Sequence, residues 1–462
     1  MSEVYHRFIK DSEKKAFDLE HRNKINYNIS KYDAAVARGK QQYNDLDLAR
    51  KRAQVIKHKV VNNLEKYLIE FAANFETQGG KIIWAQDTKE AVDEILKLMK
   101  KHGVEKVVKS KSMITEEIEI NEALESKGIE SLETDLGEYI VQVAGEKPYH
   151  IVTPAMHKSK EDIADLFHEK FNTPTDSTPE ELTHFVREKL RKKFVTADLG
   201  ITGGNFLIAD TGSVCLTENE GNGLMSFSFP KVHIAVVGIE KIIPSMIDLD
   251  LFWPLLSTHG TGQNITVYNS IISGPKKEGE TDGPEEMYLV LLENNRSKIL
   301  NSEHQREALG CIRCGACLNA CPVYKNIGGH TYGTTYSGPI GAVITPLLKG
   351  MEDYKHLSFA SSLCGKCTDV CPVNIPLHEL LLYNRNDSVK EGHVNSIDKM
   401  SMYGMNKALS SRRMMDMMNA KSKNIALRLF FKKLWGPRRD LPKIAKKSFR
   451  EMWIEQRGNS IS

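Results

Sequence analysis

Seven cysteines fall between positions 311 and 371, and only Cys215 lies elsewhere in the chain. The first run is Cys311-Ile-Arg-Cys314-Gly-Ala-Cys317-Leu-Asn-Ala-Cys321-Pro322, the C-x2-C-x2-C-x3-C-P spacing of bacterial ferredoxins. Two-residue gaps let one turn of chain wrap a cubane, with each thiolate reaching a different iron. The fourth cysteine points elsewhere, and Pro322 turns the chain. The second run, Ser361-Ser-Leu-Cys364-Gly-Lys-Cys367-Thr-Asp-Val-Cys371-Pro372, repeats the pattern with serine at the first position. In two-cluster ferredoxins the fourth cysteine of each run serves the other cluster. Cluster 1 is therefore assigned Cys311, Cys314, Cys317 and Cys371, and cluster 2 has Cys321, Cys364 and Cys367. The second site, one thiolate short, holds either a [4Fe–4S] cube completed by Ser361, water or a group from elsewhere, or a [3Fe–4S] cluster. We expect two [4Fe–4S] clusters as assembled, the second prone to losing an iron in air. Zinc is the alternative, but its paired C-x2-C knuckles need neither a third close cysteine nor a following proline. A disulfide framework is disfavoured because the N-terminus has no secretory signal.

Other residues carry weaker signals. Lys109, Ser110, Lys111 and Ser112 follow a predicted strand and precede a helix, a place that binds anions or is simply a solvated, capped turn. Gly200 to Asn205 and Gly221 to Gly223 either line a ligand pocket or serve as turns. Glu116, Glu117, Glu218 and Glu220 sit near these turns, as acid–base groups or as solvated or capping carboxylates. Cys215 reads as a small buried hydrophobe, with a lesser reading as the missing thiolate. His330, Tyr332 and Tyr336 lie between the runs and are expected to pack over the clusters, with His330 a further candidate ligand. Arg313 and Lys366 inside the motifs would raise a cluster's potential.

The elements that must position these groups follow from the patterning of 462 residues, 40% hydrophobic and 27% charged. Residues 1–75 read as an N-terminal helical segment. From 76 to 300, short β-rich runs alternate with helical stretches, which predicts an α/β domain with a mostly parallel sheet. The strand candidates are KIIWA, VEKVV, IESLETD, HIVTPA, DLGITGGNFLIADTGSVCLT, VHIAVVGIEKII and MYLVLLEN. A helix from Thr88, taken as its cap, ends at Gly103. Residues 301–390 form the cysteine module, and 391–462 a basic, Met-rich C-terminal region. Residues 400–462 contain 15 Lys and Arg against 4 Asp and Glu, so a net chain charge of +3 hides a tail of +11. That tail suits an anionic membrane surface or a partner groove, or is a solvated helical face. Nothing in the sequence supports a nucleic-acid binder, a nucleotide fingerprint or a membrane span, and a cytoplasmic protein is expected.

The chain resembles the lactate utilisation protein B family, the iron–sulfur subunit of a bacterial L-lactate oxidation system. The likeness is carried by Val108-Lys-Ser-Lys-Ser-Met113 with Thr115-Glu116-Glu117, Glu133-Thr-Asp-Leu-Gly-Glu138, Gly200-Ile-Thr-Gly, Ala209-Asp-Thr-Gly-Ser213, Asn219-Glu-Gly-Asn-Gly223 and Gly283-Pro-Glu-Glu. It extends through Gly328-Gly-His-Thr-Tyr-Gly333, Ser337-Gly-Pro-Ile-Gly341 and Cys371-Pro-Val-Asn-Ile-Pro-Leu-His-Glu379, and the family also shows serine at 361. The resemblance implies a lactate-utilisation domain similar to the NagB/RpiA/CoA-transferase group, with a ferredoxin-like two-cluster module. It further implies a role in electron transfer from L-lactate alongside companion subunits, toward an electron acceptor that the sequence does not name. Two other readings stay open: a stand-alone enzyme using the α/β domain, and a redox-sensing ligand-binding scaffold.

Overall fold

The computed structural model describes residues 2–435 and 440–458. The chain divides into two compact units, Met1–Ser388 and Val389–Ser462.

The first unit opens with four helices, Glu3–Ala16, Leu19–Gly39, Leu46–Val61 and Leu64–Thr77. Ser2, Asp18 and Asp45 start the first three, each side chain accepting an N–H three residues on. Ten strands follow: β1 (Lys81–Ala85), β2 (Lys106–Lys109), β3 (Glu130–Glu133), β4 (Leu199–Thr202), β5 (Phe206–Ile208), β6 (Ser213–Glu218), β7 (Val232–Gly238), β8 (Ile242–Ile243), β9 (Tyr268–Ile272) and β10 (Glu286–Leu292). Six of them form one sheet in the order β1-β10-β7-β4-β2-β3. Every pairing in it is parallel. The others form a second sheet, β8-β5-β6-β9.

The central strands are apolar on both faces, as a doubly covered parallel sheet requires. In β7, Ala235 and Val237 pack with Phe71 and Phe75 of the fourth helix. Ile234 and Val236 turn the other way, toward Ile95 and Met99 of helix Thr88–His102. That helix is capped by Asp87, which accepts the Glu90 N–H, and not by Thr88 as the sequence reading expects. A free carboxylate at this position faces the helix dipole better than a hydroxyl. Gly103 ends the helix in the left-handed conformation (φ 62°).

Two other sequence expectations change. Residues 150–155 form turns and not a strand. His150 Nδ1 accepts the N–H groups of Val152 and Thr153 at 3.1 and 3.2 Å, and the Tyr149 N–H donates to the Pro154 carbonyl at 2.9 Å. These local bonds compete with a ladder. β9 is not among the expected strands; Tyr268 and Ile271, on its opposite faces, are both exposed, which blurs its apolar signal.

After β10 the chain builds the cysteine module from short helices, with Gly338–Lys349 as its buried centre. This module shares one core with the first helices, through Phe8, Ile25, Ile29, Leu318, Val343 and Leu380.

The second unit contains helices Ser396–Ser410, Arg412–Asp416, Ala420–Ala426 and Phe449–Gly458. None of its described side chains is buried, Met400, Met417 and Phe449 among them. The Met415 side chain lies outside the described residues. Among the described residues, no helix is long and apolar enough to cross a membrane.

Candidate functional site

The two cysteine runs fold alike. In each, two residues enter the left-handed region at equivalent places: Arg313 (φ 61°) and Gly315 (φ 80°), then Leu363 (φ 53°) and Gly365 (φ 77°). Arginine and leucine pay about 1 kcal/mol or more for that conformation. A short helix follows each glycine, Ala316–Ala320 and Lys366–Asp369. The matching bonds Leu318 N–H to Gly315 O and Thr368 N–H to Gly365 O are both 2.9 Å. At the head of the runs the Arg313 N–H donates to Cys311 Sγ at 3.4 Å, and the Leu363 N–H to Ser361 Oγ at 3.1 Å. Ser361 therefore holds in its loop the position that Cys311 holds in the other.

Cys311, Cys314, Cys317 and Cys371 line one small cavity, walled by Ile151, Ile312, Ile340 and Ile375. Burial pushes the Cys314 and Cys317 thiols well above their ordinary range and Cys371 up to about 12, and the neighbouring sulfurs add to each shift. Ile375 N–H donates to Cys371 Sγ at 3.3 Å. Cations surround the pocket. Lys57 is buried, its Nζ donating to the carbonyls of Glu240 (2.7 Å) and Ile242 (3.2 Å). Burial lowers Lys57 to about 8 and Lys241 to about 7, while the negative charge of Cys311 opposes both shifts. Arg50 Nε binds the Cys371 carbonyl at 3.0 Å.

Thiols raised this far stay protonated unless a metal displaces their protons, and the buried cations Lys57, Lys241 and Arg313, which outnumber the one carboxylate beside them, Glu240, fit a cofactor of net negative charge. A single zinc ion does not fit as well. Its ligands would stand about 3.8 Å apart. Among the described residues no three cysteine sulfurs lie within 4.8 Å of one another. A cubane spreads its ligands over separate corners.

The second set lies differently. Cys321 and Cys367 both feel the charge of Cys364, and Cys367 that of Cys321, so the three stand together. Burial raises Cys367 to about 11. Cys364 is exposed, and the Lys366 N–H holds its thiol below the ordinary range. The buried Tyr332 feels both Cys321 and Cys317, which puts it between the two sets.

A buried ionic chain links the α/β domain to the first run. Arg296 Nη1 and Nη2 bind Glu117 at 3.0 and 2.9 Å, and its Nε binds Glu240 at 2.6 Å. Arg313 Nη2 reaches Glu240 at 3.4 Å, and Tyr336 OH donates to Glu117 at 2.6 Å. Glu117 is thus neither solvated nor capping. Glu240, Arg296, Lys57 and Lys241 were not singled out in the sequence. Their only signal is the charged pair Glu240-Lys241 inside an otherwise apolar run.

The basic turn also differs from expectation. Lys109 is fully buried and neutralised by Glu133 (2.8 Å) and Glu116 (3.3 Å), so it offers nothing to an anion. Lys111 instead enters a cleft of about 500 Å³, with Asp135, Asn205, Glu218, Glu220 and Asn222. Lys111 and Asp135 follow the C-terminal ends of β2 and β3, where parallel-sheet domains bind ligands, and Glu218 ends β6 of the second sheet. Burial raises Glu218, and raises Glu220 to about 7. Both cap backbone groups: Glu218 accepts from Gly223 (2.9 Å) and Leu224 (2.8 Å), and Glu220 from Leu136 (3.0 Å). Arg313 and Cys314 form part of the cleft's wall.

Cys215 is buried in β6, where burial alone raises its thiol to about 12. His330 packs on Tyr149 and His157, and the largest influences on it come from burial, Lys147, Glu146 and Lys158 and not from a cysteine.

The LUD domain family pattern matches residues 68–292. The 4Fe-4S dicluster domain pattern matches residues 307–375, which enclose both runs. Lactate utilization protein B of Bacillus cytotoxicus is 46% identical over 420 residues, covering 88% of both chains. The chain belongs to the lactate utilization protein B family. Within that family, the Bacillus licheniformis protein is 47% identical over 421 residues, again covering 88% of each chain. A solved DUF162 family protein from Deinococcus radiodurans covers 50% of this chain and 98% of its own at 13% identity, with a TM-score of 0.29.

Proposed function

We propose that this chain is the electron-transferring iron–sulfur subunit of a multi-protein system that oxidises L-lactate to pyruvate. The family name supports lactate utilisation. The dicluster pattern supports the cofactor class. The single observation that carries the reading is the division of the cysteines into two sets that cross the runs, with Cys371 beside Cys311, Cys314 and Cys317. On this reading those four hold one [4Fe–4S] cluster. Cys321, Cys364 and Cys367 would hold a second, with Ser361 standing in its loop where a fourth thiolate would, and this cluster is the one expected to lose an iron and persist as [3Fe–4S]. When bound, the clusters would supply acceptance and release of single electrons.

Lactate gives up two electrons and two protons in forming pyruvate, so two one-electron centres suit the pair. The chain's own residues have separate tasks. Arg313, Lys57 and Lys241 offset negative charge at the buried set, and the apolar wall of Ile151, Ile312 and Ile340 excludes water from it. The exposed Cys364 gives the second set an edge at the surface for a partner. The basic Val389–Ser462 unit, with its exposed methionines, is read as the docking element for a companion subunit, a peripheral membrane contact being the alternative.

The cleft favours a second reading, in which the α/β domain does chemistry itself, because Glu220 sits near neutrality and the cleft wall includes Cys314. One experiment separates the two. Anaerobically purified chain is given L-lactate and an artificial acceptor, alone and with its companion subunits. The relay reading expects turnover only with companions, and loss of turnover when Cys371→Ser replaces the wild type in the mixture. Turnover by the chain alone would overturn it.

A further inference from the structure

Away from the cysteines, one group of side chains has the composition of a metal site. One ligand atom each from Glu146, His157 and His330 lie within 4.8 Å of one another. We propose that these three residues bind one divalent transition ion, of the class that prefers imidazole with carboxylate, and that the ion ties the α/β domain to the segment between the cysteine runs. Two histidines and a carboxylate with an open side form a recurrent set for zinc and ferrous iron.

The surroundings prepare the ligands. His330 Nε2 lies 2.7 Å from the Lys147 carbonyl. A carbonyl only accepts, so Nε2 carries the proton and Nδ1 keeps a free lone pair, which is the usual support of a metal-bound histidine. His157 Nε2 lies 2.5 Å from Glu146 Oε2, while its Nδ1 is buried without a partner. A proton moved to Nδ1 would leave Nε2 for the ion, with no hydrogen bond lost at Nδ1. Lys158 holds Glu146 Oε1 at 2.7 Å and leaves Oε2 turned to His157. Tyr149 fixes both rings, stacked on His157 (centroids 4.8 Å apart) and edge-on to His330 (5.0 Å).

Protonation suits ligation. Burial lowers His157 to about 4 and lowers His330, so both imidazoles are neutral at pH 7. Burial raises Glu146, but hydrogen bonds from Lys158 and His157 outweigh this and keep it ionised.

The backbone brings the two segments together deliberately. A Cβ on Gly329 would fall 1.8 Å from the Tyr149 carbonyl oxygen, so only glycine lets His330 approach this loop. The same loop carries Ile151 into the wall of the four-cysteine cavity. The ion would therefore brace that wall from behind. His330 packs one side of its ring on Tyr149 and His157 and keeps an exposed edge, which gives the ion a way in and leaves room for water as a further ligand.

The test uses Zn²⁺ on the full-length, anaerobically purified holoprotein, followed by gel filtration and metal analysis. Wild type should retain about one zinc per chain with unchanged iron and sulfide. Glu146→Gln keeps the shape and polarity of the site, and His330→Ala removes an exposed ring. Each should weaken zinc binding at least about tenfold. Zinc should raise the melting temperature of wild type alone. No retention by wild type, equal retention by both variants, or zinc gained only as iron is lost would each overturn the proposal.

Discussion

The two cysteine runs share a backbone and differ in almost everything around it. The four-sulfur set is walled by isoleucines, hydrogen-bonded by Arg313 and Ile375 N–H groups, and backed by Arg313, Lys57 and Lys241. The three-sulfur set ends at an exposed Cys364 and a serine. A folded loop of the same geometry can thus make a protected centre or an accessible one, depending on what packs behind it. Burial favours a cofactor that stays intact, and exposure favours exchange with a partner or with air.

The two sets should differ most when a ligand of the buried one is removed. Cys314→Ser should remove its cluster, cut iron by about half in anaerobic material, and destabilise the shared core, all readable by metal analysis and thermal melting. The equivalent change at Cys364 should leave the first cluster's spectrum and the melting curve nearly unchanged.

A smaller effect is expected from the charges behind the buried set. Arg296 and Arg313 hold Glu240 down at about 2 despite its burial. Glu240→Gln strands these guanidinium groups and should cost about 3–5 kcal/mol in denaturant unfolding. It should not change iron retention at the exposed set.

Acid should also act unevenly. His150 is buried beside the first run, and burial lowers it to about 3. Its folded value lies below the unfolded value near 6.5, so the neutral ring's contribution is complete above that pH. It is lost as pH falls from 6.5 toward 3, by up to about 5 kcal/mol. Unfolding free energy measured across this window should fall steeply, and less steeply for His150→Gln.

The smallest and most local change is Ser361→Cys. It should make the second set resistant to iron loss in air and abolish a [3Fe–4S] signal there, with the first set's signal unaltered.

Much of this was legible in the sequence because it depends on local chain. The spacing of Cys311 to Cys321 and Cys364 to Cys371 is local, as are the alternating runs that became β1, β2, β7 and β10. Long-range groups were not legible. Lys57, Glu240, Arg296 and Arg313 meet only after the chain has folded, and nothing in their separate neighbourhoods announces a shared burial. The burial of Lys109 reversed its expected role for the same reason: Glu133 reaches it across the β2–β3 pair. HIVTPA has strand-like composition, but His150 satisfies its own neighbours' N–H groups and turns the segment toward the cysteines.

The most direct measurement is iron and acid-labile sulfide analysis of anaerobically purified chain, joined to EPR of oxidised and reduced samples before and after air exposure. Two unequal clusters predict about eight irons per chain, falling to about seven in air as a [3Fe–4S] signal appears. Colourless protein carrying zinc at the cysteines, or two clusters equally stable to air in the Ser361 chain, would contradict the account.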